Sequence, residues 1–251
     1  MNKIVEHANL PHNVRQLALG SVYSELLDEA LRRLDIEPLY CPANPYIDKR
    51  LAGHCDLSVL HAGGDELFLS PHLSNSDFSK KLQSAGLTIV YPQLSMKENY
   101  PNDAQLNLCI VKNTFFYSLK VSESSAVDYI TGRDLTAISV KQGYCRCSIC
   151  VVNERSIITS DMGIHSKAIE NGFDCLLINP GHISLPGFDY GFIGGSTFKI
   201  SDEVLCFTGS LDDHPDKSVI LDFLDKHSVR PVFLTDMRIF DIGSAVPLTE
   251  K

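Results

Sequence analysis

Residues 54–56 read His-Cys-Asp, a combination that can move protons beside a charged ligand. If they lie in a strand, alternate side chains share one face, which places His54 and Asp56 about 6.6 Å apart along it. A histidine near neutral pH can act as a general acid or base, and a carboxylate beside it can bind a cation. The alternative is a histidine that only hydrogen-bonds a neighbouring element of the fold.

Three cysteines, Cys145, Cys147 and Cys150, lie close together in the stretch GYCRCSICVVNERSIITSD. The pattern predicts a strand and hairpin, with Cys145 and Cys147 on one face and Cys150 on the other. Three sulfurs that do not converge make a poor metal site, so no metal is predicted. Cys147 beside Arg146 can instead be a reactive thiol, because a nearby cation lowers a thiol pKa. The plainer interpretation is that all three thiols are packed within and around a sheet.

Composition excludes several classes of function. The chain has 251 residues, 44% of them hydrophobic and 21% charged, with a formal charge of −9. An acidic surface repels phosphate backbones, so no nucleic acid partner is expected. No apolar run is long enough to span a membrane, and the first residues do not resemble a signal peptide. The eight cysteines lie in apolar stretches, which is typical of reduced thiols in a cytoplasmic protein.

A pattern of strand, turn, strand, helix and strand recurs along the chain. Four units open at GHCDLSVL, NDAQLNLCIV, CRCSICVV and FDYGFIGG. A fifth opens at FDIGSAVPL near the carboxyl end, and its remaining parts are supplied by KIV, SVYSELLDEALRRL and IEPLYC at the other end. The sequence therefore predicts an α/β protein, a single domain over residues 1–251, in which both termini close the last of five ββαβ units.

Five ββαβ units around one axis resemble the pentein fold, a five-bladed α/β-propeller. Arginine and agmatine deiminases, dimethylarginine hydrolase and amidinotransferases share this fold. The stretches GFDYGFIGG and DIGSAVPL resemble more closely an uncharacterised bacterial family assigned to the same fold. The glycines of GFIGG are expected to permit close approach between strands rather than to bind phosphate.

The resemblance implies that the polar heads of the first strands converge on the axis. Carboxylates suit a planar guanidinium, so the expected partner is a small cationic or amino-acid-like ligand, without a cofactor. The residues expected to bind it are Asp56, Asp103, Asn107, Arg146, Asp189 and Asp241. His54 and Cys147 are the candidate catalytic residues.

The resemblance also brings one departure. The enzymes of this fold use a cysteine near the carboxyl end, where this sequence has Val246 or Pro247, and no cysteine follows Cys206. Two functions remain open at this stage. One is hydrolysis or transfer at a C–N bond of a guanidino compound, with a relocated thiol. The other is a non-catalytic binding protein, since the ribosome anti-association factor has a similar fold; a metal-dependent hydrolase using His54 and Asp56 is a weaker third.

Overall fold

Short strands gathered into five separate sheets make up the fold. The computed structural model describes residues 3–95 and 97–251. The strands in those residues are β1 (Lys3–Ile4), β2 (Val14–Gly20), β3 (Glu37–Cys41), β4 (Val59–Gly63), β5 (Glu66–Leu69), β6 (Thr88–Val90), β7 (Cys109–Val111), β8 (Thr114–Tyr117), β9 (Thr136–Ser139), β10 (Cys150–Asn153), β11 (Ser156–Thr159), β12 (Asp174–Leu177), β13 (Thr197–Ser201), β14 (Val204–Phe207), β15 (Arg230–Phe233) and β16 (Val246–Glu250). The α-helices are α1 (Ser24–Arg33), α2 (Asp77–Ser84), α3 (Ser124–Thr131), α4 (Cys145–Ser148), α5 (Met162–Glu170) and α6 (Lys217–Lys226). Three 3₁₀ helices cover Ser21–Tyr23, Cys55–Leu57 and Pro71–Leu73.

Four of the sheets repeat one arrangement. Each has an antiparallel hairpin, then a helix, then a third strand parallel to the second: β4-β5-β6, β7-β8-β9, β10-β11-β12 and β13-β14-β15. A parallel third strand needs a crossover, and a helix of about ten residues supplies it. The predicted ββαβ repeat is therefore present in these four units.

The fifth sheet joins strands from opposite ends of the sequence, in the order β1-β16-β2-β3. Strand β16 pairs antiparallel with β2, with Val246 opposite Ala18, and β2 runs parallel to β3. The sequence prediction omitted β2, which lies in the middle of this sheet. The last four residues of VRQLALG are all buried, so the polar–apolar alternation that marks a half-exposed strand is missing.

Apolar clusters join each sheet to the next. Phe68 of the β4 sheet packs with Phe115 of the β7 sheet, and further clusters link the β7 and β10 sheets and the β10 and β13 sheets. Phe198 of the β13 sheet shares a cluster with Leu17 of the fifth sheet. The fifth sheet then packs on the first, where Leu248 and Leu67 belong to one cluster. Burial between successive sheets, rather than one central core, stabilises the chain.

Within the described residues, no helix has the length and apolar character needed to cross a membrane.

Candidate active site

A cavity of about 290 Å³ brings together side chains from distant parts of the sequence. Its lining residues are Leu51, His54, Tyr144, Cys147, Leu185, Phe188, Asp189, Tyr190, Phe192 and Asp241. A larger surface groove of about 650 Å³ lies beside α2 and the fifth sheet, but none of its lining residues is a histidine or a cysteine. The smaller cavity, which is lined by Cys147, His54 and two aspartates, is therefore the candidate for nucleophilic and acid–base chemistry.

Cys147 lies in this cavity within a network of hydrogen bonds. Its thiol donates to Asp56 Oδ2 at 2.9 Å, and Asn107 Nδ2 lies 3.4 Å from the sulfur. The backbone N–H of Cys147 donates to Asn107 Oδ1 at 3.1 Å. Asn107 thus holds both the main chain and the side chain of Cys147, and the thiol proton already points at a carboxylate.

The local structure around Cys147 differs from the prediction. Residues Cys145–Ser148 form the helical turn α4, and strand β10 begins only at Cys150. In a helical turn, residues two apart do not share a face, so the prediction that Cys145 and Cys147 lie on one strand face was wrong. The Cys145 thiol instead donates to the Gln142 carbonyl at 3.1 Å, within an apolar cluster.

His54 and Asp56 are also not on a strand, contrary to the prediction. Residues Cys55–Leu57 form a 3₁₀ helix, which still brings the two side chains to the same side as Cys147. The ligand atoms of His54, Asp56 and Cys147 all lie within 4.8 Å of one another, and all three residues are buried. Among the described residues, His54 Nε2 and Asp56 Oδ1 have no hydrogen-bond partner. Buried polar atoms without partners are uncommon in folded proteins, and a catalytic role is one of the reasons for them.

Burial controls the protonation of this group. It raises the pKa of Asp56 to about 6, and the neighbouring His54 and the Cys147 thiol oppose the rise. Burial, followed by the charges of Asp56 and Asp241, raises the pKa of Cys147 well above its usual range. Cys147 is therefore a neutral thiol at neutral pH, next to a carboxylate able to accept its proton.

Asp241 is held rigidly by the main chain. Its Oδ2 accepts from the N–H of Phe192 at 2.8 Å, and its Oδ1 accepts from the N–H of Gly243 at 2.9 Å. His54 Nδ1 lies 3.9 Å from Asp241 Oδ1. A side chain at Gly195 would place its Cβ only 2.0 Å from that same oxygen, so this glycine of GFIGG lets the turn before β13 approach Asp241.

Arg146 does not line the cavity. Its buried guanidinium donates to the carbonyls of Ile149 and Gly194, both at 3.2 Å, to that of Thr197 at 3.4 Å, and to the Ser244 hydroxyl. Those acceptors belong to three different repeats, so the protein itself uses the donors that were expected to contact substrate. The predicted substrate-binding role of Arg146 is not supported by this placement.

The remaining predicted ligand-binding residues occupy three different settings. Asp103 is buried outside the cavity lining, where its Oδ2 accepts a 2.6 Å hydrogen bond from Tyr144, and burial raises its pKa. Asp103 therefore holds the Tyr144 ring, which lines the cavity. Asn107 contacts Cys147 as described above, again outside the lining. Asp189 lies exposed at the cavity wall.

A family model matches the chain across this architecture, over residues 20–246, and it describes a family of unknown function, DUF6873. The chain belongs to this family. No curated protein matches it.

Solved structures share the fold of this DUF6873 member at low sequence identity. Inosamine-phosphate amidinotransferase StrB1 from Streptomyces griseus has a TM-score of 0.62 at 10% identity, covering 100% of this chain and 98% of that one. SxtG, an amidinotransferase of the saxitoxin biosynthetic pathway from Microseira wollei, has 0.58 at 12%, covering 91% of each. DDAH from Pseudomonas aeruginosa, in a cysteine-to-serine variant complexed with citrulline, has 0.53 at 9%, covering 88% and 92%. These likenesses confirm the predicted relation to the pentein fold, and the fold alone.

The DUF6873 member has its cavity thiol in the third repeat. Strand β16, from Val246 to Glu250, contains no cysteine and pairs with β2. Cys147 reaches the cavity from the helical turn before β10, which precedes β16 by two repeats in the sequence.

One wall of the cavity was not predicted. Phe188, Tyr190 and Phe192 line it from a single loop, together with Leu51 and Leu185. The three aromatic residues occupy alternate positions in GFDYGFIGG; the loop is bent rather than extended, and the intervening Asp189 also lines the cavity. The alternating aromatic residues were the available signal in the sequence, but the prediction considered only the glycines of this stretch.

The side chains of His54, Asp56 and Cys147 could together hold a metal ion. In the part of the chain that the structure describes, His54, Asp56 and Cys147 are the one group with three potential ligand atoms close enough together. Imidazole, carboxylate and thiolate are donors that suit zinc. The absence of a metal therefore remains a prediction for this site.

Proposed function

We propose that this protein is a hydrolase or transferase that breaks a C–N bond of a small guanidino compound, with Cys147 as the nucleophile. The observation that carries the proposal is the 2.9 Å hydrogen bond to Asp56 from the Cys147 thiol, which lines a cavity together with His54 and Asp241. A thiol paired with a base, next to a second proton carrier and further acids, suits nucleophilic attack on a cationic carbon centre. The shared fold with amidinotransferases and DDAH is consistent with this class of substrate.

The bound cation would itself activate the thiol. A guanidinium placed against Cys147 and Asp241 is a positive charge within a few ångströms of the sulfur, which lowers the thiol pKa. Ionisation therefore occurs when substrate is present, and the thiol stays neutral in its absence. Such coupling protects a reactive cysteine from other electrophiles.

The reaction balances in two stages. Cys147 passes its proton to Asp56, and its sulfur forms a bond to the guanidinium carbon. One C–N bond then breaks as protonated His54 donates a proton to the leaving nitrogen, releasing an amine or ammonia and leaving an S-amidino cation on Cys147.

Water or an acceptor amine attacks the amidino carbon in the second stage. His54 takes a proton from the attacking group, the C–S bond breaks, and the sulfur recovers its proton from Asp56. With water, the sum is guanidinium plus water giving amine or ammonia, a urea-type product and one proton. With an acceptor amine, the amidino group is transferred.

We also infer that the five sheets are the blades of one closed ring and that the chain is a single pentein domain. The apolar clusters that link each sheet to the next, and the fifth back to the first, support this inference. A closed ring places the turns before each first strand around one axis, which accounts for the meeting of His54, Cys147 and Asp241.

The direct test is to trap the covalent intermediate. The protein is incubated with a panel of guanidino compounds, quenched with acid and digested, and the peptide containing Cys147 is examined by mass spectrometry. We expect an amidino adduct on Cys147 and a urea-type or transferred product in solution, both unaffected by a chelator. Turnover that a chelator abolishes would favour a metal-dependent hydrolase, and binding without any adduct or product would favour a non-catalytic binding protein.

Activity is expected to rise with pH as Asp56 loses its proton. Asp56 must be ionised to accept the Cys147 proton, and burial raises its pKa to about 6 in the free protein. The pH profile of kcat/KM should therefore have an ascending limb near pH 6. In the variant Asp56→Asn, kcat/KM should fall by about 10²–10⁴-fold, and the ascending limb of the pH profile should disappear.

The same substitution should stabilise the fold at neutral pH. Because the pKa of Asp56 is higher in the folded than in the unfolded state, the folded state binds more protons between about pH 4 and 6, and stability falls as pH rises through that window. Asp56→Asn removes this loss, so its free energy of unfolding at pH 7.5 should exceed that of the natural protein by about 1–3 kcal/mol. Urea unfolding at pH 4.5 and 7.5 measures the free energy of unfolding of the natural protein and of Asp56→Asn. The control is Asp213→Asn, which removes a carboxylate at an exposed position. An advantage that does not grow with pH would contradict the assigned pKa.

A further inference from the structure

The cavity has a buried end and an exposed end with different chemistry. At the buried end, His54, Cys147 and Asp241 are each 2% exposed, and His54 Nε2 has no partner among the described residues. At the exposed end, Phe188 and Tyr190 are 38% and 40% exposed. If the guanidino group reacts at Cys147, the rest of the substrate must extend along the aromatic wall towards solvent.

Every ionic side chain on this path is acidic, apart from His54. The lining includes Asp241 at the buried end and Asp189 between Phe188 and Tyr190, and it includes no lysine or arginine. Asp189 makes no hydrogen bond or ion pair with the described residues, so its carboxylate is available to a ligand. A carboxylate on the substrate tail would face a like charge and find no cation to pair with.

The nearest arginine at the exposed end is already engaged. Arg50 binds Asp48 through its Nε at 3.0 Å and donates from Nη1 to the Gly187 carbonyl at 2.6 Å. Its guanidinium carbon lies 4.2 Å from the centre of the Phe188 ring. These contacts hold the loop that carries Phe188 and Asp189, and they leave Arg50 with little capacity to bind an anion.

Resting on the function proposed above, we propose that the substrate tail carries no carboxylate and ends in an amine whose ammonium group pairs with Asp189. The methylene groups between the guanidino group and the amine lie against Phe188, Tyr190 and Phe192. An ammonium between a carboxylate and aromatic rings is favoured by both charge and cation–π attraction. The ligand is thus a guanidino-alkylamine, rather than a guanidino amino acid.

The test compares guanidino compounds that share the head and differ in the tail. Agmatine carries an amine, 4-guanidinobutyrate a carboxylate, butylguanidine neither, and arginine both. Binding is measured by calorimetry with the Cys147→Ala protein, so that no turnover occurs, and turnover is measured with the natural protein. Agmatine is expected to bind at least tenfold more tightly than 4-guanidinobutyrate, with butylguanidine between them.

Substitution of Asp189 then tests the assigned residue. Asp189→Asn should bring agmatine to the level of butylguanidine, and Asp189→Lys should make 4-guanidinobutyrate the preferred of the two charged-tail ligands. Asp213→Asn, which removes an exposed acid outside the cavity lining, should leave the order unchanged.

The outcomes separate this inference from the proposed function. Turnover or adduct formation with a preference for carboxylate tails, or an order that Asp189→Lys does not alter, would overturn the tail assignment and leave the reaction class standing. If none of the four compounds binds or reacts, both the tail assignment and the proposed function are overturned.

Discussion

Replacing Cys147 by alanine is expected to lower kcat/KM for the guanidino substrate by about 10⁴–10⁶-fold, because removal of a nucleophile removes the covalent path altogether. Binding should persist, since the acids Asp241 and Asp189 remain in the cavity wall. The S-amidino adduct should disappear from the digest. Steady-state kinetics, calorimetry and peptide mass spectrometry measure these three effects separately.

Cys145→Ala provides the matched control. Cys145 belongs to the same helical turn and is equally buried, but its thiol bonds to a backbone carbonyl outside the cavity. Its activity is expected to stay within a few-fold of the natural protein. If the Cys147→Ala protein still turned substrate over at a comparable rate, the nucleophile would have to be assigned elsewhere, whatever the reaction class.

Arg146→Met is expected to lower the free energy of unfolding by about 3–5 kcal/mol. The substitution nearly preserves volume but removes the buried guanidinium that donates to the carbonyls of Ile149, Gly194 and Thr197, and the loss of hydrogen bonds from a buried charged donor costs about 1.5–3 kcal/mol each. Because those carbonyls lie in different repeats, the loss loosens the packing between sheets. Denaturant unfolding measures it directly.

Arg33→Met is the control, because Arg33 is exposed on α1 and pairs with Glu29 on the same helix. Its effect on the free energy of unfolding should be within about 0.5 kcal/mol.

The variant Arg146→Lys tests the prediction that Arg146 binds substrate. A lysine variant that kept full stability but lost substrate affinity would restore Arg146 as a ligand-binding residue.

The sequence was sufficient to predict the repeat, because each ββαβ unit carries its own local signals. Two apolar runs around a turn, a helix and a third apolar run recur four times, and the structure has those elements in that order. Strand β2 escaped prediction because it is buried on both faces in the middle of its sheet. Its identity as a strand depends on β3 and β16, and no local pattern records those partners.

The candidate site was predictable in part of its membership but not in its geometry. His54, Asp56, Cys147 and Asp241 were chosen from residue type and from the resemblance to the pentein fold, and the structure brings them together. The sequence could not show that Cys147 lies in a helical turn and that β10 begins only at Cys150. The stretch CRCSICVV has the apolar character of one continuous strand. Nor could the sequence show where the Arg146 side chain points, since a guanidinium donates to backbone carbonyls as readily as to a ligand.

The sheet that joins β16 to β2 has a consequence for the time at which the site becomes complete. A ribosome releases β2, His54 and Cys147 well before it reaches Asp241 and β16. Until then β2 has no β16 to pair with, and Asp241 is not yet beside His54. The growing chain thus carries Cys147 before it carries Asp241, which lines the same cavity. The cavity walls are brought together only after β16 has paired with β2.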